Sequence, residues 1–135
     1  MTTLVDTNVI VDVLTRDAKW LDWSLSQLVM CAAAGALCVN EVSYAELAVR
    51  FQREADLAYE LGQLGTEMTR APTSALFLAG RAFSRYRTLG GPRTSLLPDF
   101  FVGGHARAMN WPILTRDPRR FRAYFPDVPL IAPDA

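Results

Sequence analysis

Histidine and lysine are nearly missing from this chain of 135 residues: His105 and Lys19 are the sole examples of each, and the two cysteines, Cys31 and Cys38, form no CxxC pair. Without clusters of imidazole or thiolate there is no ordinary zinc site, and the two cysteines read as buried thiols. No apolar run approaches the roughly 20 residues needed to span a bilayer. No basic segment followed by an apolar stretch opens the chain either, so neither a membrane span nor a signal peptide is expected, and a cytoplasmic location is the default. Half of the residues are apolar and 21% are charged, an ordinary globular composition. The length suits one domain over residues 1–135 with a core of its own.

Charge is zero overall but unevenly spread. Residues 1–69 carry four bases and ten acids, a balance of −6, whereas residues 70–135 carry ten bases and four acids, a balance of +6. All bases but Lys19 are arginine, whose guanidinium suits phosphate recognition, so the second half is a candidate surface for a polyanion.

The chain opens on Leu4-Val5-Asp6-Thr7-Asn8-Val9-Ile10. A short apolar run reaches an acid, two polar residues follow, and a second apolar run begins, which reads as strand, turn and helix. Further along, Asp17 can start a helix through Trp20, Leu21, Leu25, Leu28 and Val29 to Gly35, and Ala36 to Val39 suits a buried strand. Asn40 can cap a helix through Val42 to Phe51, and Arg53 to Leu64 reads as another. Thr66 to Thr69 suits a strand, and Pro72 to Arg87 a helix with Leu76, Ala79, Phe83 and Tyr86 on one face. A turn-rich loop over Thr88 to Pro98 leads to a helix opening at Asp99. Pro112 to Thr115 and Val128 to Ile131 suit strands, with a helical turn over Pro118 to Phe121 between them. Strands alternating with helices predict an α/β fold with a central, mainly parallel sheet of four to five short strands flanked by helices.

Four acids stand out. Asp6 follows the first strand, where open parallel sheets collect ligands, although an aspartate there also serves as a plain helix cap. Glu46 lies on the narrow polar strip (Ser43, Glu46, Arg50) of an otherwise apolar helix, which predicts a buried helix with that strip at a cleft or edge; an exposed Glu46–Arg50 pair is the competing reading. Asp99 opens a helix in which Val102, Gly103 and Ala106 stack beneath it. Adjacent glycines within a helix cost about 1 kcal/mol each relative to alanine, so Gly103 and Gly104 require a reason, and close approach of another group is the simplest. Asp117 follows the apolar run Ile113-Leu114, and for both Asp99 and Asp117 helix capping is an alternative. Carboxylates brought together raise one another's pKa, and a hard divalent cation that prefers oxygen ligands, Mg²⁺ or Mn²⁺, resolves the conflict. Such an ion activates water and stabilises charge on a phosphoryl oxygen, the chemistry of phosphodiester cleavage.

Leu4-Val5-Asp6-Thr7-Asn8, then Tyr44-Ala45-Glu46-Leu47, then Asp99 opening a small-residue helix, then Leu114-Thr115-Arg116-Asp117 with Phe121, together resemble the PIN-domain ribonucleases. The likeness is greatest to the toxin component of VapBC toxin–antitoxin systems and covers essentially the whole chain. It implies a PIN-like α/β/α domain in which Asp6, Glu46, Asp99 and Asp117 form an acidic metal centre, with Asn8 and Thr115 supporting it through hydrogen bonds. It further implies Mg²⁺- or Mn²⁺-dependent endonucleolytic cleavage of RNA, homodimerisation, and inhibition by a small VapB-like antitoxin. Phe100 and Phe101 depart from the small aliphatics usual after the third acid, which leaves the pocket shape open.

Among the bases, Arg81, Arg85, Arg93, Arg116, Arg119, Arg120 and Arg122 lie near these motifs, and Arg116, Arg119 and Arg93 are the candidates for RNA phosphate contacts. Trp20 and Trp23 fit core or dimer packing, His105 fits a satisfied structural role, and Asp12 is expected to be solvated or a secondary contact. A haloacid-dehalogenase-type phosphatase also starts on a strand-end aspartate, but it wants a second aspartate where this chain has Asn8 and a lysine downstream, and a phospho-receiver domain wants that lysine too. The non-enzymatic alternative is a catalytically inactive PIN-like module that binds RNA or protein.

Overall fold

A computed structural model describes residues 1–92 and 97–133. Among them the element order is β1 (Thr3–Val5), α1 (Thr7–Leu14), α2 (Leu21–Ala34), β2 (Leu37–Val39), α3 (Glu41–Ala48), α4 (Glu54–Gln63), β3 (Thr66–Met68), α5 (Thr73–Thr88), α6 (Pro98–Met109), β4 (Ile113–Leu114), α7 (Arg119–Tyr124) and β5 (Leu130–Ile131). The five strands form one sheet in the order β3-β2-β1-β4-β5, and every pairing is parallel. That is the expected α/β architecture, at the upper end of the expected strand number.

Each strand is only two or three residues long, yet the pleat sorts its side chains cleanly. Leu4, Cys38 and Ile113 face one layer, where they meet Ala79, Ala82, Phe100, Val102, Ala106, Phe121 and Phe125 from α5, α6 and the α7 region. Val5, Leu37, Val39 and Leu114 face the other, against Val9, Ile10, Leu28, Leu47, Leu57 and Leu61 from α1, α2, α3 and α4. Alternation of period two thus builds two cores on opposite faces of a short sheet. No helix among the described residues is long and apolar enough to cross a membrane.

The glycine pair has the expected reason. A Cβ on Gly104 would run into the Ala75 carbonyl of α5, and one on Gly103 into the Phe125 ring. Gly104→Ala is expected to lower stability by about 1–3 kcal/mol in urea denaturation, because backbone cannot yield as a side chain does. A loss below that of an exposed-site control would show that α5 gives way.

Local expectations fail where tertiary contacts override them. The helix after β2 stops at Ala48; Ser43, placed on its polar strip, is fully buried, while Val49 is 86% exposed. On α5 the buried line is Ala75, Ala79 and Ala82, and Leu76 is exposed. His105 is fully enclosed with neither ring nitrogen bonded among the described residues, so the satisfied role is wrong. Burial pushes its pKa down, favouring the neutral ring.

Candidate active site

The strand order places β1 between β2 and β4, so the chain leaves β1 in one direction and later returns on its other side. A crevice forms at such a point, beyond the carboxyl ends of the strands. Asp6 is the residue after β1 and Thr115 the residue after β4. The Asp6 N–H continues the ladder by donating to the Leu114 carbonyl at 2.9 Å.

Asp6 is both a helix cap and a cleft residue, so the two readings of it were never exclusive. Its Oδ1 accepts the Thr7 N–H at 2.8 Å, while Oδ2 accepts the Thr115 hydroxyl at 2.8 Å and the Asn8 amide at 3.2 Å. Asn8 in turn accepts the Arg116 N–H through Oδ1 at 3.3 Å, tying α1 to the segment after β4. The Thr115 hydroxyl accepts the Asp117 N–H at 3.1 Å. Asn8 and Thr115 therefore fix the Asp6 carboxylate between two chain segments.

Glu46 projects from α3 and accepts the Thr7 hydroxyl at 2.8 Å. The alternative Glu46–Arg50 ion pair is not formed; Arg50 and Glu46 both line the cleft. Asp99 lies in the first turn of α6 behind Leu97 and Pro98, and is not the cap. Asp117 is not a cap either, since α7 begins behind Pro118. All four acids line one cleft, together with Thr7, Asn8, Val11, Arg50 and Arg116. A second hollow continues from it, sharing Asp99 and Asp117 and adding Tyr86, Arg119, Arg120 and Tyr124.

Charge in the cleft is out of balance at its deepest point. Burial, then the neighbouring Asp99 charge and more weakly Glu46, push the Asp6 pKa up to about 7, although the bonds from Thr115 and Thr7 pull it down. The outer acids have counter-ions instead. Asp117 is gripped by Arg119 through two bonds of 2.9 Å, which hold its carboxyl below the usual range. Asp99 accepts one bond of 2.9 Å from Arg120.

Arg116 is committed elsewhere. Its guanidinium makes bonds of 2.8 and 3.0 Å to Asp12 and lies 5.6 Å from the Trp20 ring centre. Asp12 is 1% exposed and also accepts the Ser24 hydroxyl at 2.7 Å, which corrects its expected solvation. Trp20 meets Trp23 edge-on at 6.1 Å. Of the other proposed phosphate contacts, Arg119 is held by Asp117, and Arg93 lies outside the described residues. Phe100 does not enter the cleft: it is fully buried against Phe83, Tyr86 and Tyr124, and the Phe101 carbonyl receives the Asn40 amide. Ser24 and Tyr124 are the participants that sequence reasoning passed over, whereas Thr7 and Tyr86 were placed only within their elements and Asp12 was weighed as a secondary contact. For Tyr124 alone there was a local signal, its i, i+4 spacing from Arg120 on a short helix.

The donor set tests whether a metal fits. Four carboxylates on one cleft, one of them buried with a raised pKa, are an all-oxygen set with a deficit of positive charge, which suits Mg²⁺ or Mn²⁺. Among the described residues no three acids, histidines or cysteines already converge as a finished ligand group, and Asp99 and Asp117 are turned to arginines. By chemistry the donors suit a hard divalent cation, and an ion there would compete with Arg119 and Arg120 for Asp117 and Asp99.

Comparisons with known proteins agree with this architecture. No curated protein matches the chain at a significant level. Among solved structures, VapBC2 from Rickettsia felis, bound to a DNA fragment from its promoter, is similar with a TM-score of 0.74 at 19% identity, covering 99% of this chain and 100% of that one. VapBC-1 from nontypeable Haemophilus influenzae gives 0.70 at 21% identity with 98% of both chains covered. DNA-bound VapBC from Salmonella typhimurium gives 0.68 at 15% identity, again with 98% of both covered. At these identities the likeness establishes the fold. The sequence pattern of the PIN domain matches residues 3–125, and the chain therefore belongs to the PIN-domain family.

Proposed function

We propose that residues 1–135 form a single nuclease domain, the toxin of a type II toxin–antitoxin system, which cleaves RNA endonucleolytically with Mg²⁺ or Mn²⁺. The observation that carries this reading is that Asp6, Glu46, Asp99 and Asp117 all line one cleft at the carboxyl ends of β1 and β4, with the Asp6 pKa raised by burial and by its acidic neighbours. In the proposed assignment these four hold the metal, and Asn8 and Thr115 orient Asp6. The ion, when bound, supplies a water of lowered pKa and stabilises charge on the phosphoryl oxygen. The chain's own residues place the carboxylates, and Arg119 and Arg120 offer positive charge at the mouth of the cleft.

The similarity to VapBC structures supports a small VapB-like antitoxin as partner. A homodimer and a cytoplasmic location complete the proposal. The second reading, an inactive RNA- or protein-binding module, draws on the arginines paired with Asp117 and Asp99. Incubating the purified protein with a panel of structured RNAs, in Mg²⁺ or Mn²⁺ and in EDTA, separates the two. Cleavage confined to the metal-containing reactions is expected. Cleavage that persists in EDTA would sink the metal mechanism, and intact RNA throughout would favour the binding module.

A further inference from the structure

The hollow that continues from the acidic cleft is lined by Tyr86, Tyr124, Arg119, Arg120, Asp99 and Asp117. Its two tyrosines are braced from behind. Each ring centre lies 5.5 Å from that of Phe100, which is itself fully buried, and the two tyrosine rings meet at 6.0 Å. A guanidinium lies near each ring: Arg120 is 5.8 Å from the Tyr86 ring centre and Arg85 is 5.7 Å from that of Tyr124. A braced aromatic floor with guanidinium groups beside it is a surface on which any nucleobase can stack, because every base has a π face. Among the described residues neither tyrosine makes a side-chain hydrogen bond.

The cations are equally transferable. Arg119 is 86% exposed and Arg120 38% exposed, and pairs this open to water are weakly held. A phosphate, though tetrahedral, offers a guanidinium two oxygens for a bidentate pair as a carboxylate does. We propose, resting on the nuclease reading above, that this hollow is a nucleotide subsite for single-stranded RNA, taking one unpaired base on Tyr86 and Tyr124 and its phosphate on Arg119 and Arg120. A base within a duplex is stacked on both faces and has none to give, so the subsite selects loops, bulges and free strands. A phosphate that takes the two guanidinium groups also leaves Asp117 and Asp99 unpaired at the cleft.

The test uses the full chain carrying Asp6→Asn, in EDTA, with a fluorescein-labelled mixed-sequence RNA decamer read by anisotropy across a salt series. A duplex of the same sequence and a decamer lacking its bases serve as companion probes. Adding Tyr124→Leu is expected to weaken single-strand binding roughly ten-fold with the salt slope unchanged, while the duplex and the baseless decamer bind as before. Tyr124→Phe keeps most of the affinity. Arg119→Gln, at a site too exposed to threaten folding, is expected to lower the slope of log K against log salt by about 0.7, the signature of one lost phosphate contact on a single strand. Undiminished decamer binding by Tyr124→Leu, or an equal loss on all three probes, overturns the subsite while leaving the nuclease reading intact. An unchanged slope in Arg119→Gln overturns its phosphate half. A parent protein that binds no RNA overturns both the subsite and the reading beneath it.

Discussion

Replacing Asp6 by asparagine is expected to abolish RNA cleavage and, in EDTA, to make the folded chain more stable at pH 8. The two effects have one cause. The carboxyl is buried beside Asp99 and Glu46, and its pKa stands at about 7 in the folded chain against 3.8 for an ordinary aspartate. Between those values the folded state holds a proton that the unfolded state has released. Stability therefore falls as pH rises through that window, and above pH 7 the full penalty, on the order of 4 kcal/mol, applies. The variant has no charge to bury. Its amide can satisfy either Thr7 or the Thr115 and Asn8 donors but not all of them, a loss of about 1 kcal/mol that offsets only part of the gain. The clean measurement is the difference in unfolding free energy between variant and wild type at two pH values. The variant's advantage should shrink by about 3 kcal/mol from pH 8 to pH 5, where wild-type Asp6 is protonated. An advantage independent of pH would show that Asp6 is not the group carrying the deficit. Mn²⁺ should raise the wild-type melting temperature at pH 8 more than that of the variant, since the ion removes the same deficit.

Arg116→Leu is expected to destabilise the protein by about 3–5 kcal/mol, far more than a charge removed from a nucleic-acid surface would. The reason is its partner: Asp12 is 1% exposed and loses both bonds to the guanidinium at once, keeping only Ser24. An uncompensated buried carboxylate is the costly product. Removing both charges, in Asp12→Leu with Arg116→Leu, should recover most of the loss, because the paired desolvation cost disappears with the pair. Urea denaturation of the two single variants and the double variant measures the coupling. Additive losses would mean that the pair does not act as a unit, and a single-variant loss under 1 kcal/mol would return Arg116 to the candidates for RNA phosphate contacts.

These expectations show where local sequence carried information and where it did not. The cap at Asn40 was legible because an N-cap acts within three residues, and its side chain does accept the Val42 and Ser43 N–H groups. The glycine pair was legible because nothing but close approach excuses two glycines inside a helix, and α5 and Phe125 supply that approach. Asp99 and Asp117 were only half legible, since capping and clefts use the same residue at the same kind of junction. Ser43 and Leu76 went wrong for a single reason: a helical wheel shows which residues share a face but not which face meets the sheet.

The sequence by itself determined the order of strands and helices, the short apolar runs that become buried strands, and the positions of Asp6, Asp99 and Asp117 at element junctions with Glu46 on a polar strip of its helix. Those features depend on neighbours a few residues away. Tertiary structure alone decided which arginine is free and which is bound. Arg116 meets Asp12 across 104 residues of chain and Arg120 meets Asp99 across 21, and an ion pair formed at such separations leaves no local pattern in the sequence. The same holds for the raised Asp6 pKa, which arises only when burial and two distant carboxylates act on one oxygen pair. Spacing places charges along a chain, and folding alone sets the distances and the dielectric through which they interact.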